Sequence, residues 1–519
     1  MEKQGYIKGS EMWEVNTFLL TFIVSISGVY VLIPVATRLG LVDAPGGRKQ
    51  HEVHTPLIGG LTIFFTLTLF LVSSFLLSVY PTHHPALMVT ITLILATGVI
   101  DDVVNLGFRL RFLLHALVAL VMIHWGGVVL VDLGQLISSE LLLLGIFGIP
   151  LTVFATLGTI NALNMVDGID GLAGALSVVV FSYIALLTYA AGSNYFFFTL
   201  AVLGALAGFL VFNFPYRSRH RASIFMGDAG SNLLGFILAW LLIALSQGEE
   251  PVIAPVTALW LYAVPLLDTV SVMVRRVWLK RSPFKADRGH LHHLLVDAGF
   301  RVRQVVYLMA FLQIVLGGIG VLMLRNNVPQ AIGFFSFLGL FAVYLLLISR
   351  TWRVVPLLRR VHRMLGLTVA GARSVYVGNL DPAYAELVVS GMLDSVARNR
   401  KFSLHGYNRA HSGVKRVFAE IECWSAADMH GLIKLLTRNA NDKTQLEIRQ
   451  FIPRDLKNDR RKQDWKPVEC RRDKCRRQSE VVSNFGNRLT YFRYPELPIQ
   501  KQPSQSAFSG NGRNLDTIQ

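Results

Sequence analysis

The sequence predicts an all-α polytopic membrane protein with about eleven transmembrane helices and the N-terminus outside. A small cytoplasmic C-terminal α+β domain and a basic tail are expected to follow. Three observations support this. Of 519 residues, 52% are hydrophobic and only 16% charged, with a mean hydropathy of +0.46, a balance foreign to soluble domains. Apolar stretches able to cross a bilayer recur near Ser25, Leu69, Ile94, Ala119, Phe154, Ser182, Ala205, Ala239, Tyr262, Leu316 and Gly339. Lys and Arg, finally, crowd one set of alternating connections and are missing from those around Pro81, Gly134, Ser193 and Glu249.

In chain order, the first apolar run begins near Val15 and is long enough to span, with no small-residue cleavage site, so it reads as an anchor. One set of alternating loops carries Arg38, Arg48, Lys49, Arg109, Arg111, Arg217, Arg219, Arg221, Arg275, Arg276, Lys280, Arg281, Lys285 and Arg288. The other set, around Pro81, Gly134, Ser193 and Glu249, has no Lys or Arg. The positive-inside rule makes the first set and the C-terminal tail cytoplasmic. Residues 1–350 form the transmembrane domain and 351–373 a linker. Residues 374–452 read as a small α+β domain, with strand-like runs SVYVGN, FSLHGY, RVFAEIE and LEIRQF and helix-like Pro382–Arg398 and Ala426–Arg438. Residues 453–519 are basic, poor in aliphatics and expected to be disordered. The net charge of +17 lies largely in cytoplasmic loops and tail, which suits headgroups and anionic substrates rather than nucleic acid. Cys423, Cys470 and Cys475 all lie in the tail and form no disulfide framework.

Every unusual polar cluster falls on the cytoplasmic side. The most informative is NALNMVDGIDGL, Asn161 to Leu172, where two carboxamides and two carboxylates end a span. Polar groups at that depth are costly and mark function by default. Asn161, Asn164 and Asp167 are three apart, so neighbours in the series share a helix face. A plain polar loop closing a hairpin is the alternative. Upstream, DAPGGRKQHEVHTPLIGG brings Arg48, Lys49 and His51 between two glycine pairs, a set suited to phosphate or simply to topology. Asp101 and Asp102 end a span as adjacent carboxylates able to hold a divalent cation or act as a base. Capping would explain one of them but not the second. Arg109 and Arg111 follow as anion contacts or topology markers. FMGDAGS places Asp228 among glycines at a helix start, where backbone N–H groups favour phosphate. Asn213 adds a donor and an acceptor at the preceding helix end. RRVWLKRSPFKADRGHLHHLL offers Arg276, His290, His292 and His293, and its basic surroundings favour a sugar nucleotide over zinc. Asp268, near the end of the preceding span, reads as the remaining buried carboxylate. Together the clusters supply carboxylates for a hard cation and cations for phosphates at one membrane face, as phosphoryl transfer to a lipid requires.

The ordered motifs DAPGGRKQH with TPLIGG, GVIDD, NALNMVDGIDGLAG, FMGDAGS and SPFKADRGHLHH resemble the bacterial polyprenyl-phosphate N-acetylhexosamine-1-phosphate transferases of the WecA and TagO type, related to MraY. The resemblance spans roughly Val15 to Ile348. It implies transfer of a sugar 1-phosphate from a UDP-N-acetylhexosamine to undecaprenyl phosphate in the inner membrane, with release of UMP. It further implies Mg²⁺, with Mn²⁺ as the alternative ion, held by Asp228 and Asn164. Asp101, Asp102, Asp167 and Asp170 match the family's catalytic carboxylates. Arg48, Lys49, His51, Arg109, Asn161, Asn213, Arg276, His290, His292 and His293 are the expected substrate contacts. HLHH resembles WecA and TagO more than the three consecutive histidines of MraY, which favours UDP-GlcNAc over the muramoyl-pentapeptide donor. Arg109 stands where the family commonly has lysine. The lipid bilayer is the expected setting and a homodimer is left open. An MraY-like donor and a non-enzymatic lipid-phosphate transporter are the rival readings.

Overall fold

The computed structural model describes residues 2–43, 55–77, 84–104, 106–137, 139–216, 222–283, 289–349 and 351–364, and strands within 373–494. Arg48, Lys49, His51, Arg217, Arg219, Arg221, Lys285, Arg288 and the helix-like stretches at 382–398 and 426–438 lie outside the described residues.

The chain divides into two units, 1–361 and 362–519. The first is helical: α1 (Glu2–Leu39), α2 (Gly59–Leu76), α3 (His84–Val104), α4 (Phe108–His124), α5 (Gly148–Val166), α6 (Leu172–Ala190), α7 (Tyr195–Asn213), α8 (Gly227–Ala244), α9 (Pro255–Leu261), α10 (Ala263–Trp278), α11 (Leu291–Asp297), α12 (Val302–Arg325), α13 (Gln330–Ser349) and α14 (Thr351–Met364). Among the described residues, nine helices are long and apolar enough to cross a membrane, or ten if the bent pair α9–α10 counts as one span. The expected count of about eleven differs at two places. Helix α4 has only 17 residues and opens with Arg109 and Arg111, and the stretch around Tyr262 is broken by an 84° bend.

That bend has a local cause. Pro265 has no N–H to give to the carbonyl of Leu261 four residues earlier. Gln313, buried on α12, replaces the missing donor: its Nε2 donates to Leu261 O (2.7 Å), while its Oε1 accepts from Val264 N–H (2.9 Å). Broken backbone at membrane depth persists only where protein satisfies it in this way.

Helix α8 is the centre of the bundle, buried along most of its length. Neighbours approach its backbone through glycine. A Cβ at Gly98 of α3 would lie 2.4 Å from Ala229 Cα, and one at Gly60 of α2 would lie 2.3 Å from Gly230 N. Small residues permit such approach where lipid offers no hydrophobic drive between helices. The strand pair β1 (Val42–Asp43) and β2 (Thr55–Pro56) leads into α2, and the TPLIGG segment then docks on FMGD. Phe225 N–H donates to Pro56 O (2.9 Å), Gly59 N–H to Phe225 O (3.0 Å) and Gly60 N–H to Met226 O (3.1 Å).

In the second unit, β3 (Arg373–Leu380), β4 (Phe402–Asn408), β5 (Lys415–Cys423), β6 (Leu446–Phe451) and β7 (Thr490–Tyr494) form one antiparallel sheet in the order β4-β5-β3-β6-β7. Strand β7 comes from the stretch 453–519, where the composition had predicted no regular structure.

Replacing Gln313 with Leu strands one carbonyl and one N–H at the α9–α10 bend. Detergent-solubilised Gln313→Leu is expected to lose ~2–4 kcal/mol of stability, read as a lower midpoint in thermal or SDS unfolding.

Candidate active site

The site gathers at one end of the bundle, where α3, α5 and α7 finish and α4, α6 and α8 begin. Asp102, in the last turn of α3, accepts from the Asp228 N–H (2.8 Å, Oδ1) and the Ala229 N–H (3.1 Å, Oδ2). It therefore caps the N-terminus of another helix, α8, and satisfies donors that the helix cannot satisfy itself. Gly227 holds φ +73° beneath it, and a Cβ there would meet the Asp102 carboxylate at 2.7 Å. Asp101 is used differently. Its Oδ1 accepts from Leu106 N–H (2.7 Å) and its Oδ2 from Arg111 Nη1 (2.8 Å).

Asp228 opens α8. Asn164 Nδ2 donates to its Oδ1 (2.7 Å) and to Ser231 Oγ (2.9 Å), and Arg111 Nη1 stands 3.6 Å from its Oδ2. The Asp228 side chain is 38% exposed against 1% for Asp101, so an incoming ligand meets Asp228 and not Asp101. Arg111 joins the two. Arg109, two positions away on α4, is turned outward, exposed, with its guanidinium 5.8 Å from the Phe108 ring. The expected anion contact at Arg109 thus sits apart from the carboxylates, because residues two apart face different sides of a helix. One turn deeper than Arg111, His115 is 2% exposed with neither ring nitrogen partnered. Motif reading had passed over it. Its position at i+4 from Arg111 was the available signal.

Asp167 follows the last turn of α5. Burial first, then the negative charges of Asp228, Asp102 and Asp170, push its carboxyl up to about 8. Asp170 Oδ2 accepts from Ala222 N–H (3.0 Å). Asn213 is buried, its Oδ1 accepting from Gly171 N–H (2.9 Å) and its Nδ2 donating to Ile224 O (2.9 Å). Both ends of that amide are taken by backbone, tying the NALNMVDGIDGL turn to the segment before α8. Asn161 Nδ2 donates to Leu157 O (2.7 Å) within its own helix. The even three-residue series thus separates: Asn164 and Asp167 enter the cluster, while the Asn161 amide nitrogen stays with the α5 backbone.

The histidine motif forms the other wall. Buried Asp268 on α10 accepts from Leu291 N–H (2.9 Å) and Tyr344 O–H (2.7 Å) on Oδ1, and its Oδ2 lies 2.9 Å from His290 Nδ1. Arg276 Nη2 lies 3.4 Å from His290 Nε2. A proton on Nδ1 satisfies both contacts, so this tautomer is assigned from its partners. The adjacent Arg276 Nη1 donates to Pro283 O. His292 is 1% exposed, lacks a hydrogen-bond partner at either ring nitrogen and packs against Gly168, where a Cβ would lie 2.4 Å from Nε2. Burial, then the neighbouring His293, lowers it to about 3, so it is a neutral donor and acceptor. The His293 ring centroid lies 4.2 Å from that of His292. The packing of His292 on Gly168 joins the histidine segment to the acidic turn.

Among the described residues no three His, Cys, Asp or Glu side chains form a ready metal cage. Asp228 with the Asn164 amide is the donor set that could hold a hard cation, since Mg²⁺ commonly takes one or two carboxylates and completes its shell with water and phosphate. A cavity of about 480 Å³ lined by Ala191–Tyr195 and Glu250–Val252 lies at the far end of α6, away from this chemistry.

Known proteins share much of this chain. Residues 84–246, which contain Asp101, Asp102, Asn164, Asp167, Asp170, Asn213 and Asp228, match the family model described as glycosyl transferase family 4. A Haemophilus influenzae protein named undecaprenyl-phosphate alpha-N-acetylglucosaminyl 1-phosphate transferase is 38% identical over 349 residues, 67% of this chain and 97% of its own length. The chain belongs to glycosyl transferase family 4. Relatives of the same name from Salmonella typhi (37% identical, 68% of this chain and 94% of theirs) and Escherichia coli K12 (36%, 64% and 90%) extend the likeness. In this family 4 chain the matched core runs from α3 to α8 and leaves the histidine wall outside its bounds.

The raised Asp167 has a measurable consequence. The folded protein keeps a proton that the unfolded chain releases near pH 4, so stability falls as pH rises from about 4 to about 8. In chelator, Asp167→Asn is expected to lack that part of the slope and to melt above wild type at pH 8. Identical melting curves across this range would contradict the assignment.

Proposed function

We propose that this chain transfers N-acetylglucosamine 1-phosphate from UDP-GlcNAc to undecaprenyl phosphate, forming a lipid-diphosphate sugar and releasing UMP. It would thereby carry out the first membrane step of a cell-surface polysaccharide. The names of the relatives support the substrates. The observation that carries the reading is the meeting of Asp228, Asn164, Asp102 and Arg111 at the start of α8. These residues combine an exposed carboxylate, a carboxamide and an arginine, which is what a phosphate–cation complex needs.

Asp228 and Asn164 are the residues that would hold Mg²⁺. Asn164 gives its nitrogen to Asp228 and Ser231, leaving the amide oxygen for an ion. When bound, the ion would neutralise the diphosphate of the sugar nucleotide. Arg111 would steady the lipid phosphate, and Asp101 would hold Arg111 in place. With Asp101 ion-paired and Asp102 capping α8, both carboxylates orient the site rather than stand free as bases. A base is not essential, because a phosphate monoester is largely dianionic at neutral pH. Its oxygen would attack the β-phosphorus in line and UMP would leave. Half-buried His293 would meet the donor, with His292 packed on Gly168 and His290 and Arg276 braced by Asp268.

The same reading treats α4 as a short span and α9–α10 as a bent one. That brings the total to eleven, with the N-terminus outside and the site facing the cytoplasm of the bacterial inner membrane. Residues 374–452 would fold as a separate cytoplasmic domain.

Membranes holding the protein, given radiolabelled UDP-GlcNAc and undecaprenyl phosphate, are expected to yield labelled lipid and UMP, and to stop when EDTA removes divalent ions. Asp228→Ala should lower the rate by at least about 100-fold. Transfer only from UDP-MurNAc-pentapeptide would favour an MraY-like donor, and no transfer from any UDP-sugar would remove the enzymatic reading.

A further inference from the structure

Helix α14 follows the last span after a single residue, and nothing in the proposed reaction uses it. Its sequence, TWRVVPLLRRVHRM, holds Arg353, Arg359, Arg360 and Arg363 and no acidic residue. At 100° per residue, Val354, Leu357, Leu358, Val361 and Met364 share one arc, and the arginines take the opposite arc. The apolar arc is open along one edge: Leu357 is 55% exposed and Val361 40%, one turn apart, with exposed Arg360 alongside. An apolar strip bordered by arginines, on a helix too short and too charged to span, is the pattern of a segment lying in the bilayer interface.

We propose that α14 lies along the membrane surface, with Leu357 and Val361 in the acyl boundary and its arginines on anionic headgroups. Two features favour lipid over a protein partner. The helix starts one residue beyond α13, a candidate span ending at Ser349, so it leaves the bundle at the depth of the headgroups. Its charge is wholly basic, which complements an anionic leaflet. The stretch expected from sequence to be a linker then carries a membrane-surface helix over its first fourteen residues. This inference needs only that α13 spans the bilayer and stands apart from the catalytic reading.

The test uses the full chain with Cys423, Cys470 and Cys475 replaced by Ser, in nanodiscs. A fluorophore is placed by Leu357→Cys or, on the opposite arc, Arg359→Cys. In discs containing phosphatidylglycerol, the probe at position 357 should be quenched by spin-labelled lipid and shielded from iodide. The probe at 359 should show the reverse. Changing to phosphatidylcholine alone, or replacing Arg359 and Arg360 with Gln in the Leu357→Cys protein, should weaken the shielding by roughly fivefold for each arginine whose headgroup is removed. Replacing both with Lys should preserve it, which separates charge loss from misfolding. Equal access of iodide to both positions in anionic discs would overturn the proposal. So would shielding of position 357 from both quenchers, which would mean that protein covers it, or shielding indifferent to lipid charge. Transfer activity reports separately on the catalytic reading and leaves this outcome untouched.

Discussion

The cap that Asp102 places on the start of α8 is the interaction on which the rest of the site depends. Two backbone N–H groups at the end of a buried helix would be expensive to leave without partners. The carboxylate that satisfies them belongs to α3, so the last turn of α3 is held against the first turn of α8 where Asp228 emerges. The glycines make that junction possible. Gly98 lets α3 run against Ala229, Gly60 lets α2 run against Gly230, and Gly227 turns the chain beneath the carboxylate. Asp228 then needs no flexibility of its own, because Asn164 and Arg111 hold it from two other helices.

A second constraint acts from the other side. The break between α9 and α10 would be untenable in the bundle without Gln313, whose amide answers the carbonyl left by Pro265. With the bend secured, α10 presents Asp268 to His290, Leu291 and Tyr344. The same carboxylate thereby braces the histidine segment, whose next ring, His292, is set against Gly168 of the acidic turn. Acidic and basic walls are built by separate devices and meet at a glycine.

Much of this was legible in the residues. Long uncharged runs announce membrane helices, because hydrocarbon tolerates nothing else, and the family was readable from five motifs in order. The resemblance paired Asp228 with Asn164, and the structure brings the two side chains into contact. Roles within pairs were not legible. Asp101 and Asp102 look interchangeable in GVIDD, yet one binds Arg111 and the other caps α8. Arg109 and Arg111 look like one basic pair, yet helical rotation puts only the second in the site. Asn213 reads as a substrate donor, whereas its amide joins two loops.

Sequence alone determined what is governed by composition and short-range periodicity: a multi-helix membrane chain, its polar motifs grouped on one side, and its family. Hydropathy, charge bias and motif order are properties of the linear chain, so no coordinates were needed to read them. Tertiary structure decided how each polar group is used. A hydrogen bond between residues 126 positions apart, such as that from the Asp228 N–H to Asp102, leaves no trace in local pattern. The same holds for the bend at Tyr262, whose stabilising partner lies on another helix 52 residues from Leu261. Burial and partnership across helices depend on packing, and packing exists only in three dimensions.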